Sequence, residues 1–157
     1  MSMPYYEELD WPSVPQHLCD LAISSTKEAE NIWEFKDRFP DFAQHIVPDE
    51  LLDWLNTNLP IDLTDYTIRL QSMRTSTMIH KDITRKFSYN FVMTNDGGIT
   101  SWYDMEESVV PYGTIVPMLE TVKYESMKWY KNASKIAHDV RGIESPPRVA
   151  ITIFKHL

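Results

Sequence analysis

The hydrophobic period of the chain changes near Pro60, and this change limits the possible fold more than any other feature. Before it, apolar residues recur at helical spacing; after it, they alternate with polar residues, as Tyr66, Ile68 and Leu70 do. A two-residue period is typical of a strand with one buried face, and a 3.6-residue period of an amphipathic helix. We therefore predict one domain of 157 residues, with helices first and a β core over residues 61–157.

Two helices are predicted before the change of period. Ser25 and Glu28 have the spacing of a capping box and precede apolar residues at helical intervals, which predicts a first helix over about residues 26–38. Pro48 is followed by two acidic residues, which stabilise the positive end of a helix dipole. This pattern predicts a second helix over about residues 49–58.

The prolines near the amino terminus favour extended backbone, so we predict an arm or edge strand over about residues 1–23, within an N-terminal part that spans residues 1–60. The sequence Asn95–Gly98 predicts a tight turn, and hence a hairpin between strands at about 87–93 and 100–103. Further strands are predicted at about 66–71, 113–118, 122–124 and 148–154, and in a stretch that ends near residue 140. Short strands separated by turns predict a mainly β sandwich or barrel with the two helices packed outside it.

Composition excludes several classes of protein. The 23 acidic residues outnumber the 15 basic ones and give a net charge of −8, which opposes binding to a nucleic-acid backbone. Cys19 is the only cysteine, so no disulfide can form within the chain. The apolar runs are too short to span a membrane and the amino terminus lacks a signal-peptide pattern. We therefore expect a cytoplasmic protein without nucleic-acid or membrane partners, and the sequence leaves its oligomeric state open.

The strongest chemical signal comes from His80, Asp82 and His138. His80 and Asp82 are two residues apart in a strand context, and residues at this spacing project from the same face of a strand. His138 lies in the same β half and can supply a second imidazole. Two histidines and one carboxylate form the facial triad that binds non-haem Fe(II) and leaves coordination positions open. The spacing is a weak motif when it is taken alone.

Arg148 follows His138 by ten residues and begins the last predicted strand. On that strand it shares one face with Ala150 and Thr152, and the opposite face carries Val149, Ile151 and Ile153. A guanidinium that points into a barrel needs an anionic partner, because an unpaired buried charge costs several kcal/mol. A dicarboxylate co-substrate would satisfy it through paired hydrogen bonds.

With these residues in place, the sequence resembles the Fe(II)/2-oxoglutarate-dependent oxygenases over about residues 64–155, as a small, prolyl-hydroxylase-like member. The resemblance is carried by the His80-Lys81-Asp82 motif, His138 and Arg148. Two positions depart from the family pattern: Ala150 replaces a small polar residue, and Ala137 replaces a proline that often precedes the second histidine.

The resemblance implies a double-stranded β-helix, also called a jelly roll or cupin-like fold. Fe(II) would be held by His80, Asp82 and His138, and 2-oxoglutarate by Arg148, with support from Thr152 and Tyr89. O2 would be the second co-substrate. The substrate pocket would be lined by Arg85, Asn90, Trp102 and Tyr103. The implied reaction is hydroxylation of a small molecule or a peptide side chain, with release of succinate and CO2.

Two other readings of the sequence stay open. The chain could be a cupin-like barrel that binds a metal without turnover, or an interaction protein that uses its aromatic arm over residues 5–11. His80 and Asp82 could also form an ordinary surface ion pair, and Arg148 could balance an acidic residue of this acidic chain.

Overall fold

The computed structural model describes residues 5–37, 39, 41–82 and 84–156. These residues form strands and two helices in the following order: β1 (Tyr6–Leu9), α1 (Gln16–Thr26), β2 (Phe42–His45), α2 (Asp49–Asn58), β3 (Thr67–Met73), β4 (Phe87–Thr94), β5 (Ile99–Tyr103), β6 (Met118–Val122), β7 (Trp129–Ala133), β8 (Ala137–Arg141) and β9 (Arg148–Phe154). The mainly β fold with two N-terminal helices is confirmed.

Two antiparallel sheets make up the β part. The large sheet has the strand order β1-β7-β4-β9-β3-β2, and the small sheet has the order β6-β5-β8. His80 extends the small sheet beyond β8 through a single bridge to His138, and a second bridge joins His80 to Val109. Neighbouring strands in both sheets come from distant parts of the chain, so the fold depends on long-range pairing.

The large sheet is covered on one face by the helices and on the other by the small sheet. Residues of β9 alternate between these two environments. Ile151 and Ile153 pack with the helix residues Leu18 and Leu51 in the main hydrophobic cluster, whereas Ala150 belongs to a cluster between the sheets. All seven residues of β9 are buried, as expected for a strand covered on both faces. The predicted opposition of the two faces of β9 is confirmed.

The second helix has the predicted bounds, but the prediction of the first helix is wrong. The helix α1 begins directly after Pro15 and ends at Thr26, so Ser25 does not cap the start of a helix. The hydroxyls of Ser25 and Thr26 instead donate to the carbonyls of Ala22 and Ile23 in the last turn of α1. The aromatic residues that follow at helical intervals instead surround Trp33, whose ring centroid lies 4.6 Å from that of Phe42, 5.5 Å from that of Phe39 and 5.6 Å from that of Phe35. Residues 38 and 40 lie outside the described part.

The arm is an edge strand, as predicted, but only in its first part. The strand β1 pairs with β7 at one edge of the large sheet, and Trp11 packs 4.7 Å from Tyr89 and 5.3 Å from Trp129 between ring centroids. Proline is tolerated at the start of a helix because its missing N–H would be unpaired there, so Pro15 initiates α1 where extended backbone was expected.

The predicted hairpin between β4 and β5 is also wrong. The strand β4 pairs with β7 and β9, and β5 pairs with β6 and β8. The turn between them carries the chain from one sheet to the other: the Asn95 amide donates to the carbonyls of Gly98 and Tyr124, at 3.1 and 2.8 Å. Residues 113–117, which are all described, do not form the expected strand, and β6 begins only at Met118. Neither helix is long and apolar enough to cross a membrane.

Candidate metal centre

His80, Asp82 and His138 lie together at one edge of the small sheet. One ligand atom from each of the three side chains lies within 4.8 Å of the other two. Asp82 Oδ2 is 3.1 Å from His138 Nε2, and Asp82 Oδ1 is 3.8 Å from His80 Nε2. The side chains are 33%, 22% and 17% exposed for His80, Asp82 and His138, so a metal could reach them from solvent.

Backbone pairing explains why the two imidazoles converge. His80 and His138 face each other in an antiparallel bridge and exchange both backbone hydrogen bonds, at 3.0 and 2.9 Å. Directly opposed residues of an antiparallel pair project to the same face. The regular strand expected through Asp82 is reduced to this bridge. Asp82 is instead placed by its backbone N–H, which donates to the Ser134 carbonyl at 2.9 Å.

Both imidazole rings are oriented for metal binding. Nδ1 of His80 donates to the carbonyl of Met78, and Nδ1 of His138 donates to the carbonyl of Ile136, each at 2.7 Å. In each case the partner lies two residues earlier in the chain. Such bonds fix the ring and leave the lone pair of Nε2 free for a metal. The two histidines are therefore candidate metal ligands whose rings are held by the same kind of hydrogen bond.

Electrostatics keep the Asp82 carboxylate ionised. Burial opposes its ionisation, but the hydrogen bond from His138 and the positive charge of Arg85 hold the pKa of Asp82 well below its usual range. Burial lowers the pKa of His80, and the neighbouring His138 lowers it further. Burial also acts against protonation of His138, yet the hydrogen bond to the Asp82 carboxylate raises the pKa of His138 overall.

Arg85, which was predicted to line the substrate pocket, forms an ion pair with the candidate metal ligand Asp82. Its Nη2 atom lies 3.3 Å from Asp82 Oδ2, and its side chain is 14% exposed. The guanidinium also lies over the ring of Phe154, 4.1 Å from the ring centroid. Arg85 is thus held by a cation–π contact on one side and an ion pair on the other.

The inner surface of the large sheet carries two other predicted residues. Thr152 is 1% exposed and pairs with Asn90 across β9 and β4. The Asn90 amide donates to Ser88 Oγ at 2.9 Å and to Asn132 Oδ1 at 3.1 Å. These polar groups line the interior between the sheets, on the same face of β9 as Arg148.

Two predicted residues lie on the wrong face for the roles expected of them. Tyr89 pairs with Ile153 and belongs to the cluster beneath the helices, so it does not line the interior with Thr152. Tyr103 belongs to the cluster on the outer face of the small sheet, and its hydroxyl donates to Asp139 at 3.0 Å. Both placements follow from the two-residue period, since a shift of one position moves a side chain to the opposite face.

Trp102 lies beside the candidate metal ligand His138. It pairs directly with His138 across β5 and β8, so both side chains project into the interior. Its ring is fully buried and stacks on Tyr6 of β1, with centroids 5.6 Å apart and planes at 15°. Tyr5 packs 6.0 Å away on the same ring. The arm therefore contributes to the wall of the interior near His138.

Arg148 is buried and has no acidic residue within ion-pair distance in the described part of the chain. It is 8% exposed, and its Nε atom has no hydrogen-bond partner of good geometry there. Burial lowers the pKa of Arg148 to about 10, although the nearby Tyr124 opposes this shift. An unpaired guanidinium in such a position is costly unless a ligand supplies the counter-charge.

Sequence reasoning missed two polar residues beside Arg148. Among the described residues, the buried side-chain atoms without a partner of good geometry are Arg148 Nε, Tyr124 Oη and Asn95 Oδ1. They lie close together: Asn95 donates to the carbonyls of Tyr124 and Gly98, and a Cβ atom added at Gly98 would lie 3.4 Å from Arg148 Nε. Asn95 carried a turn signal only, and Tyr124 lies between strands without any motif.

The sequence matches no protein-family model and none of the curated proteins. Among solved structures, the chain is similar to an oxidoreductase of the 2OG-Fe(II) oxygenase family from Burkholderia pseudomallei, with 12% identity, a TM-score of 0.55 and coverage of 96% of this chain and 83% of that one. It is also similar to an oxalate decarboxylase from Bacillus subtilis, with 14% identity and a TM-score of 0.47, covering 82% of this chain and 28% of that one.

At 12% identity the first likeness shows the fold alone. It agrees with the mainly β architecture of antiparallel sheets described above. The chain therefore has a mainly β, double-stranded β-helix fold, with a possible metal site formed by two histidines and one aspartate on its small sheet.

Proposed function

We propose that this protein is an Fe(II)- and 2-oxoglutarate-dependent dioxygenase that hydroxylates a small molecule or a peptide side chain. Substrate, O2 and 2-oxoglutarate would give hydroxylated substrate, succinate and CO2. One oxygen atom of O2 would enter the hydroxylated substrate and the other would enter succinate. The observation that carries the proposal is the presence of two features in one fold. These are the His80, Asp82 and His138 cluster and a buried Arg148 without a counter-charge.

The donor set fits Fe(II). Two imidazole Nε2 atoms and one ionised carboxylate would neutralise half of the charge of a divalent ion, and mixed nitrogen and oxygen donors suit non-haem iron. Bound Fe(II) would supply the activation of O2. His80 and His138 would hold it with rings fixed by their Nδ1 hydrogen bonds, and Asp82 would bind through an oxygen that Arg85 leaves free.

The interior near Arg148 fits the distal carboxylate of 2-oxoglutarate. Arg148 can donate two parallel hydrogen bonds to a carboxylate, and the hydroxyl of Tyr124, which has no partner of good geometry among the described residues, can donate a third. Thr152 and Asn90 lie further along the same inner face, where they can contact the rest of the molecule. A bound dicarboxylate would thus satisfy polar atoms that are otherwise costly to bury.

Anaerobic titration tests the proposal. Fe(II) with 2-oxoglutarate is expected to give a weak charge-transfer band in the visible region, and the Asp82→Ala variant is expected to lose both the band and the metal. The Arg148→Met variant should still bind Mn(II) but should bind 2-oxoglutarate at least about tenfold more weakly, because a charged hydrogen-bond partner is lost. Unchanged 2-oxoglutarate affinity in this variant would contradict the assignment of the co-substrate.

A second candidate is a cupin-like barrel that binds a metal without 2-oxoglutarate. The fully buried Trp102, stacked on Tyr6 beside His138, favours this alternative because the two rings fill part of the interior near the ligands. Metal binding without any 2-oxoglutarate-dependent signal, and without succinate from a substrate panel, would select it over the dioxygenase.

The charge and the single cysteine bear on where the protein acts and on its partners. We propose a cytoplasmic enzyme whose partners are small molecules or peptides and do not include nucleic acid, in keeping with the net charge of −8. Cys19 is a free thiol on the buried face of α1, which fits a compartment that keeps ferrous iron and thiols reduced.

A further inference from the structure

Two buried polar atoms of opposite hydrogen-bonding type lie close together at the start of β9. Arg148 Nε carries a hydrogen and can only donate, whereas Asn95 Oδ1 is an amide oxygen and can only accept. Neither atom has a partner of good geometry among the described residues. Buried polar groups in folded proteins are nearly always hydrogen-bonded, so this complementary pair indicates a contact that the protein can make.

The end of β4 holds the start of β9 on both sides of Arg148. The Thr94 hydroxyl donates to the carbonyl of Pro147 at 3.2 Å and accepts from the N–H of Val149 at 3.2 Å. Asn95 directly follows Thr94 in the chain. The backbone at Arg148 is therefore fixed relative to Asn95 by two hydrogen bonds from a single neighbouring residue.

Gly98 shows how closely the two side chains approach each other. A Cβ atom added at Gly98 would lie 2.4 Å from Asn95 Oδ1, 3.3 Å from Arg148 Cδ and 3.4 Å from Arg148 Nε. The first distance is a collision, and the other two are shorter than an ordinary contact between carbon atoms. Both side chains therefore share the space beside the bare Cα of Gly98, and a glycine is needed there because it allows this close approach.

The amide of Asn95 is held in one orientation. Its Nδ2 donates to the carbonyl of Tyr124 at 2.8 Å and to that of Gly98 at 3.1 Å, and its backbone N–H donates to Ser126 Oγ at 3.1 Å. Two carbonyl partners identify the nitrogen end of the amide, so the oxygen end is Oδ1. With both amide hydrogens used, Oδ1 is the group that Asn95 can still offer to Arg148.

We propose that Asn95 is a positioning residue for Arg148, whose Nε–H it accepts at Oδ1, and that Gly98 keeps open the space in which the two side chains meet. The amide is already fixed, so the contact needs only an adjustment of the Arg148 side chain. A guanidinium can pair with a carboxylate through its end or through its Nε side. With Nε bonded to Asn95, the two terminal NH2 groups are left to bind a carboxylate in the interior between the sheets.

This role rests on the proposed function for the identity of the ligand, whereas the contact between Asn95 and Arg148 does not. The contact sets the direction from which a carboxylate is bound. It should therefore matter for a ligand that reaches Arg148 and not for one that binds the metal alone. 2-Oxoglutarate and 2-oxobutyrate form such a pair, because they share the 2-oxo acid group and only the first has a second carboxylate.

Proton–nitrogen NMR of the full chain tests the contact without metal or ligand. The Nε–H signal of Arg148, identified by its loss in Arg148→Met, is expected to exchange with water at least about tenfold faster in Asn95→Ala than in the wild type. Asn31→Ala is the matched control, because Asn31 also bonds through its side chain to backbone groups, those of Trp33, Phe42 and Gln44. An unchanged exchange rate in Asn95→Ala, or the same increase in the control, would overturn the proposal.

Calorimetry on the Mn(II)-loaded protein tests the positioning role. The wild type is expected to bind 2-oxoglutarate at least about tenfold more tightly than 2-oxobutyrate. Asn95→Ala should lose most of this preference through weaker binding of 2-oxoglutarate, with affinities for 2-oxobutyrate and Mn(II) unchanged. A general loosening of the fold would weaken both acids, and that result would assign Asn95 a structural role only.

Gly98→Ala provides a second and independent variant. It should also lose the preference for 2-oxoglutarate, because the added Cβ displaces Asn95 Oδ1. Added to Asn95→Ala, the same substitution should cause little further loss, since the colliding atom is then absent and the two effects are not additive. Fully additive losses would contradict a shared action through Oδ1.

The outcomes separate this proposal from the proposed function. Equal affinity of the wild type for the two acids would contradict the dioxygenase, and the exchange rate of the Arg148 Nε–H would still decide the contact. A preference for 2-oxoglutarate that Asn95→Ala retains in full would overturn the positioning role alone and leave the dioxygenase in place.

Discussion

The two sheets of this protein differ in how deeply they are buried and in the candidate site residues that they carry. The large sheet is covered by helices on one face and by the small sheet on the other, and its strand β9 is wholly buried. The small sheet carries both histidines, and its edge strand β6 is exposed over most of its length. Substitutions in the large sheet should therefore cost stability, whereas those on the inner face of the small sheet should cost ligand binding.

The largest expected effect on stability is in the large sheet. Phe91 is fully buried between β9, Trp129 and the helices, and Phe91→Ala should lower the free energy of unfolding by about 3–5 kcal/mol through loss of contacts and formation of a cavity. Urea unfolding followed by circular dichroism measures the change. Ile115→Ala, at a site 98% exposed, is the control and should change stability by less than about 0.5 kcal/mol. Equal losses in the two variants would contradict the comparison.

Two aspartates of the small-sheet region allow a sharper test, because they lie on opposite faces. Asp82 faces the candidate metal centre, whereas Asp139 is buried on the outer side and accepts a hydrogen bond from Tyr103. The Asp82→Asn variant should lose at least about a hundredfold in Mn(II) affinity by calorimetry. A residue that binds the metal directly should matter at least as much as the residues that orient it. The Asp139→Asn variant should keep the metal and lose about 1–3 kcal/mol of stability. Loss of metal in both variants would show that the faces do not differ.

Prediction from the sequence was uneven even within the large sheet, and the reason is physical. The strand β9 is fully buried and has apolar residues at every second position, so its own sequence predicts which residues face the helices. The strand β7 mixes aromatic and polar residues and was not predicted at all. The partners of β5 depend on contacts between distant segments, which no local turn signal reveals.

The candidate site divides in the same way. The spacing of His80, Asp82 and His138 was enough to predict that these residues lie together. Their geometry depends only on the backbone pairing of the two histidines and on one further backbone hydrogen bond at Asp82. Tyr89 was misplaced since it shares a face with Phe91 and not with Asn90. Tyr124 was missed because it lies beyond the end of β6, in the connection to β7, where no strand period fixes the direction of its side chain.

Arg148 tests whether the large sheet contributes to binding of the proposed co-substrate. At 2-oxoglutarate concentrations near a hundred times the dissociation constant, the Mn(II)-loaded wild type should gain about 2.7 kcal/mol of stability. The Arg148→Met variant should gain much less, and without ligand it should be at least as stable as the wild type, because an unpaired buried charge is removed. Urea titrations with and without 2-oxoglutarate measure both values. A strongly destabilised variant would mean that Arg148 is structural.

The smallest effect is expected at Arg85, which supports a ligand without binding the metal itself. The Arg85→Met variant should lower Mn(II) affinity by about tenfold to a hundredfold, as the loss of other groups that orient metal ligands does. The Arg85→Lys variant should recover part of the loss, since lysine keeps the charge near Asp82 but not the planar contact with Phe154. Arg141 makes the corresponding ion pair with Asp139 on the outer face, so Arg141→Met is the matched control and should leave Mn(II) affinity unchanged. If both arginine variants weaken Mn(II) binding equally, orientation of Asp82 by Arg85 does not explain the effect, because removal of a positive charge would by itself favour a cation. The two faces of the small sheet would then be less distinct than the structure indicates.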